Sequence, residues 1–165
     1  MIIAQRFVLL EYIPSGIRAR DQETAQTVVL VDAKGLDPRY VGIFHPALQA
    51  VLAIVEHEGR ALAAVESVQG RSLEQQSAGQ PCHPRRAADI VSEIADGVAE
   101  LHARGLAHGN ITQSTVLLTA KGKSKLVLTD AIGAEEPQDL SALRLLLKTI
   151  GGHINAEAEA AQSVA

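Results

Sequence analysis

Few side chains in this 165-residue sequence are of the types that do chemistry in water, and their spacing limits what each can do. His102 and His108 stand six apart, and paired imidazoles can bind a transition metal or move protons. A metal needs further ligands, and none clusters beside them. Packing or a backbone hydrogen bond is the expected role, and no metal site is expected. Cys82-His83 lies between two prolines, Pro81 and Pro84, and a lone thiol there reads as incidental, not as a nucleophile. Asp130 reads as a turn residue or a metal ligand, and Asp139 as a helix N-terminal residue stabilised by the dipole. Lys121-Gly122-Lys123-Ser124-Lys125 reads as a solvated turn. Arg85-Arg86, near a helix start, opposes the macrodipole slightly, which leaves a partner contact open.

The composition excludes several classes of partner. The formal net charge is −4, so no basic field exists to release counterions from a phosphate backbone. All four aromatic side chains (Phe7, Tyr12, Tyr40, Phe44) fall in the first 44 residues, which leaves no platform for stacking bases. Nucleic acid is therefore not an expected partner. The first residues meet charge at Arg6, too early for a signal peptide, and no apolar run approaches a membrane span. Cys82 is the lone cysteine, which makes a reducing cytoplasm the expected location. With 47% hydrophobic residues the chain can fill a core, built mainly from Ala, Val, Leu and Ile.

Elements to position these residues follow from the pattern. Residues 6–12 form an apolar strand closed by the turn signal Pro14-Ser15-Gly16. Residues 17–20 supply a returning strand, and 27–31 a β-branched third. Residues 51–55 and 61–65 flank His57-Glu58-Gly59-Arg60 as a hairpin, and Asp37-Pro38-Arg39-Tyr40 opens a helical turn before them. In the second half, Ser72 with Gln75 makes a capping box for a short helix. Pro84 starts a longer helix whose Ile90, Ile94, Val98 and Leu101 recur at helical spacing, and Gly105 stops it. A second hairpin joins 116–118 to 126–128. A closing helix carries Leu140, Leu143, Leu147 and Ile150 on one side, with Leu145 and Leu146 reaching around it.

The text within this order resembles a protein kinase. Leu101-His102-Ala103-Arg104-Gly105-Leu106-Ala107-His108-Gly109-Asn110-Ile111 is similar to the end of the long C-lobe helix running into the His-Arg-Asp loop. Val116-Leu117-Leu118 is similar to the strand after that loop, and Leu126-Val127-Leu128-Thr129-Asp130 to the strand entering Asp-Phe-Gly. Upstream, His45-Pro46-Ala47-Leu48 is similar to the stretch before the fourth strand. Val65 to Leu73 resembles the hinge and the helix beyond it. Asp139-Leu140-Ser141-Ala142-Leu143 resembles the start of the central buried helix. The six pieces come in the family's order across residues 6–152.

The resemblance assigns chemistry to positions, and most positions hold the wrong residue. Phosphoryl transfer depends on positioning and charge neutralisation. The phosphate loop would be Ile13-Pro14-Ser15-Gly16-Ile17, with a single glycine and a proline that removes a donor. Val31 stands where the strand lysine would be, and no Glu lies between Glu23 and Glu56 to orient one. Asn110 replaces the catalytic acid, which removes a general base worth roughly 10²–10⁴ in rate. Thr112 replaces the neighbouring lysine, Thr115 the metal-binding Asn, and Gly109 the loop arginine. Asp130 survives, followed by Ala131-Ile132 instead of Phe-Gly. Nine positions separate Asp130 from Asp139, too few for an activation loop. The resemblance also implies that Asp139 ties to the catalytic-loop backbone at His108 or Gly109.

The expected fold is α+β, a truncated protein-kinase-like fold with a small antiparallel β-sheet N-lobe and a reduced helical C-lobe. Residues 1–68 would form the N-lobe with its helix C reduced, 69–152 the C-lobe, and 153–165 a tail or linker. The expected function is that of an inactive kinase-like domain that binds, scaffolds or regulates proteins, without cofactor. Its partner would be another protein or other domains of a parent protein. The alternatives are a residual nucleotide sensor using the vestigial hinge Glu66, Ser67 and Val68, or a divergent small-molecule phosphotransferase. Leu143, Leu145, Leu146 and Ile150 are candidates for an interface, including that of a homodimer, because few later elements remain to cover the closing helix.

Overall fold

A computed structural model of the chain describes residues 1–127 and 135–151. The β-branched and aliphatic runs of the first half form six strands: β1 (Ile2–Ile3), β2 (Phe7–Ile13), β3 (Gly16–Asp21), β4 (Thr27–Asp32), β5 (Val51–His57) and β6 (Arg60–Glu66). They make one antiparallel sheet in the order β1-β2-β3-β4-β6-β5. Successive side chains on a strand face opposite ways. On β4, Val29 and half-buried Val31 therefore pack into the main core, while Val28 and Leu30 join a second cluster with Phe7 and Ala64. Burial on both faces accounts for the unbroken apolar run of residues 28–31. The sheet curls until the turn after β1 meets the β5–β6 hairpin, where the Ala4 N–H donates to His57 Nδ1 (3.2 Å).

Between β4 and β5 the chain makes only a 3₁₀ turn, Pro38–Tyr40, capped by the Asp37 carboxylate on the Arg39 N–H (2.9 Å). The second half supplies β7 (Gly70–Ser72), α1 (Leu73–Ser77), α2 (Pro84–Ala103), β8 (Val116–Thr119), β9 (Ser124–Leu126) and α3 (Glu136–Ile150). The Ser72/Gln75 capping box forms in full at the start of α1. On α2 the periodic residues Ile90, Ile94, Val98 and Leu101 are all buried. Gly105 takes the left-handed conformation that ends this helix (φ +69°).

The two halves share one core. It runs from Val29, Ala63 and Val65 of the sheet through Leu48 to Ile90, Ile94 and Leu101 of α2 and Leu143 of α3. The segment after Pro46 extends the second sheet: Leu126 N–H donates to the Ala47 carbonyl (2.7 Å), and Gln49 N–H to the Leu126 carbonyl (2.9 Å). Leu48 reaches α2 at Gly97, where an added Cβ would lie 3.1 Å from the Leu48 side chain. The fold is α+β, with the first sheet ending at Glu66 and the second beginning at Gly70.

The structure corrects several expectations. β1 and β7 carry too few residues to show a pattern, and each exists by pairing with a neighbour, β2 and β8 respectively. On α3 the buried stripe is Asp139, Leu143, Leu146 and Ile150, so Leu140 is 50% exposed and Leu146 turns inward. Leu143 and Ile150 are buried as the apolar pattern expects and Leu147 is partly so, but Asp139 and Leu146 complete the stripe where the pattern put Leu140 and Leu147. Leu143, Leu146 and Ile150 thus cover this chain's own core, which leaves Leu145, 65% exposed, as the interface candidate on the surface. Arg86 makes an internal contact, donating to the Gly122 carbonyl (2.6 Å). Asp130, Ala131 and Ile132, and the tail from 153 on, lie outside the described residues.

Candidate functional site

The loop between α2 and β8 gathers most of the residues singled out from the sequence. It is anchored from α3, where Asp139 sits buried in the first turn. Its Oδ2 accepts from the His108 N–H (2.7 Å) and Oδ1 from the Gly109 N–H (2.8 Å). Two successive amides can converge on one carboxylate because Gly109 is left-handed (φ +80°), a conformation costly for residues with a Cβ. The same Oδ2 meets His102 Nε2 at 2.9 Å from the end of α2. The structure thus brings together His102, His108 and Asp139, three elements' worth of chain, around one buried charge.

His108 is wholly buried, and its ring spans the loop. Nε2 lies 2.8 Å from the Val127 carbonyl, and Nδ1 accepts from the Asn110 N–H (3.2 Å). That pairing fixes the neutral tautomer with the proton on Nε2. Burial pushes its pKa below the ordinary 6.5, against the smaller opposing pull of the Val127 carbonyl and Asp139. A neutral imidazole with both nitrogens engaged holds the loop in place. Tyr40 closes the far side, its hydroxyl donating to the Ala107 carbonyl. Burial, with Asp139 nearby, pushes that phenol up to about 12, so it stays a donor.

Past Asn110 the loop turns back on itself. The Thr115 hydroxyl accepts from the Thr112 N–H (2.9 Å) and donates to the Asn110 carbonyl (2.8 Å). Thr115 is buried, while Asn110 and Thr112 are exposed, with Thr112 Oγ1 2.9 Å from Ser114 Oγ. The hydroxyl at 115 is therefore committed to the loop's own backbone. A threonine three residues after a threonine is a signal for such side-chain-to-backbone turns, which the sequence reading left unused.

Val31 and the hinge residues lie elsewhere. Val31 pairs with Ala63 and packs half-buried against the main core, with no charge of its own. Glu66 is held by the segment beside it: its N–H donates to the Ala50 carbonyl (2.9 Å), and its carbonyl accepts from Gln49 Nε2 (2.9 Å). Its carboxylate receives Lys125 Nζ (2.6 Å) and the Ala50 N–H (3.2 Å). Ser67 and Val68 follow, both half-buried. The Glu66–Lys125 pair escaped the sequence reading, since Lys125 passes there for a turn lysine. Among the described residues no cluster of three or more His, Cys, Asp or Glu could hold a metal ion.

Over 110 residues the chain is 26% identical to serine/threonine-protein kinase pkn2 of Myxococcus xanthus. The match covers 65% of this chain and 13% of that protein's length. No family model matches. Among the described residues, no helix is long and apolar enough to cross a membrane.

Proposed function

We propose that this chain is a catalytically inactive, kinase-like module that works by binding other proteins, a pseudokinase by residue content. The observation that carries the reading is the loop from His108 to Thr115. Its anchoring to Asp139 is complete, yet Asn110 stands in the acid's place and the Thr115 hydroxyl is engaged with backbone. A loop that keeps its scaffold and lacks its reactive groups suits a fold retained for its surface. The similarity to a serine/threonine kinase supports the kinase-like part of this reading. Val31 adds to it, since an apolar side chain packed in the core cannot pair a phosphate.

The test is a thermal-shift titration with ATP and Mg²⁺. A ligand at ~100 times its Kd would stabilise the fold by about 2.7 kcal/mol. At this chain length that raises Tm by roughly 2–4 °C per kcal/mol. The expected result at millimolar ATP is no shift, and a clear one would favour the nucleotide-sensor alternative.

A further inference from the structure

A cleft of about 610 Å³ opens where the end of the first sheet, the segment after Ile43 and β9 meet. None of Val31, Asn110, Thr112 or Thr115 lines it, so it stands apart from the loop described above. Its volume falls in the range of small-molecule sites, as does its make-up of apolar walls with a few converging polar groups. The apolar walls are Phe44, Pro46, Leu48 and Leu52, and Phe44 stands 71% exposed at the rim.

The polar end has a definite sign. The carboxylate of Glu66 has one donor on each oxygen, from Lys125 and from Ala50. Lys125 gives one of its three N–H groups to this pair, and its side chain is mostly buried. His45 Nδ1 accepts from the Ala47 N–H (3.1 Å), which leaves Nε2–H as the donor of the neutral ring. The side chains of Gln26, Thr27 and Ser67 also line the cleft, and each can donate. The cleft therefore offers two fixed donors, Lys125 Nζ and His45 Nε2, with amide and hydroxyl groups that can donate or accept, around an ion pair that is already balanced. An anion would have to compete with Glu66 for Lys125 while repelled by Glu66. A cation would meet Lys125.

From this geometry we propose that the cleft is a binding site for a small uncharged ligand with a planar aromatic body and a carbonyl or amide end. The aromatic body covers Phe44 and lies along Pro46 and Leu52, and the acceptor end faces Lys125, Ser67 and Thr27. Because one wall is sheet and the other β9, an occupant bridges both halves of the chain. Glu66 and Ser67, which line the cleft, are also hinge residues of the nucleotide-sensor alternative, but the inference rests on the cleft and not on the loop from His108 to Thr115 that carries the pseudokinase reading.

The test uses ¹H–¹⁵N correlation spectra of the full chain titrated with 4-hydroxybenzamide. Its isosteres 4-hydroxybenzoate and 4-hydroxybenzamidine supply the anion and the cation. The neutral probe is expected to shift the amides of Ala50, Ser67 and Lys125 saturably, with a Kd on the order of millimolar for so small a ligand. The charged isosteres bind at least about tenfold more weakly, the cost of one unmatched charge. Ser67→Trp and Thr27→Trp each push an indole into the cleft from a different position, and either folded variant abolishes the shifts. No saturable shift, equal binding of all three probes, or unchanged shifts in a folded tryptophan variant would each overturn the proposal. A Tm shift with ATP and Mg²⁺ that persists in Ser67→Trp and Thr27→Trp would bear on the pseudokinase reading alone, whereas one that these variants abolish would place an anionic ligand in the cleft and overturn the proposal.

Discussion

Replacing Asp139 with alanine removes the one acceptor on which His108, Gly109 and His102 converge. The His108 N–H is buried, and leaving such a donor without a partner costs about 1–3 kcal/mol. The Gly109 amide, nearer solvent, can turn to water, so its loss is about 1 kcal/mol. His102 is partly exposed and loses a hydrogen bond worth about 0.5–1 kcal/mol. Together these give about 2.5–5 kcal/mol, or a fall in Tm of roughly 5–20 °C at this length. The control is Glu136→Ala, an exposed first-turn carboxylate that loses only the dipole contribution of about 0.3–1 kcal/mol. The chain has no tryptophan, so urea unfolding followed by far-UV circular dichroism is the suitable assay. Losses within about 1 kcal/mol of each other would refute the view that Asp139 organises the loop.

Four further outcomes follow from the same contacts. Stability should fall as pH drops below about 6.5, because the unfolded chain takes up a proton more readily than buried His108; ¹⁵N spectra should show His108 titrating at lower pH than an ordinary histidine, its neutral form carrying the proton on Nε2. Asp21 is buried against Arg6 (2.7 Å), which holds its carboxyl far below the usual range; Asp21→Asn should cost about 1–3 kcal/mol at pH 7, with the difference from wild type shrinking as pH falls below about 4. Leu146→Glu should unfold or severely destabilise the domain, by more than about 3 kcal/mol, whereas Leu145→Glu should change stability by less than about 0.5 kcal/mol; urea melts compare them. Asn110→Asp should give no phosphotransfer from radiolabelled ATP, since Val31 and Thr115 remain.

Much of the fold was legible because its signals are local. The capping box at Ser72, the stop at Gly105 and the α2 stripe each depend on residues a few positions apart, and all three appear in the structure. Illegible were features set by partners far along the chain. β1 and β7 are too short for a period and exist by pairing. The face of α3 was partly misplaced because a buried aspartate counts as polar in any hydropathy pattern, yet here its charge is met by three donors. Lys125 shows the same limit: only a carboxylate 59 positions away distinguishes it from a solvated turn residue. The resemblance placed Asp139 beside His108 and Gly109, and it gave no hint of His102 as their neighbour.

The short stretch 47–49 has a consequence for synthesis. Its backbone pairs with Leu126, a residue the ribosome adds long after residue 49 has left the exit tunnel. Until then the Ala47 carbonyl and the Gln49 amide lack this partner, and Leu48 lacks Gly97 of α2 to rest on. The nascent first sheet therefore carries an unfinished apolar margin, the kind of edge that other chains can join. Fragments ending near residue 68 should aggregate instead of folding as a free-standing lobe. In the 165-residue chain, by contrast, amide protons of Gln49 and Leu126 should exchange with deuterium at matching rates, as parts of one cooperative unit.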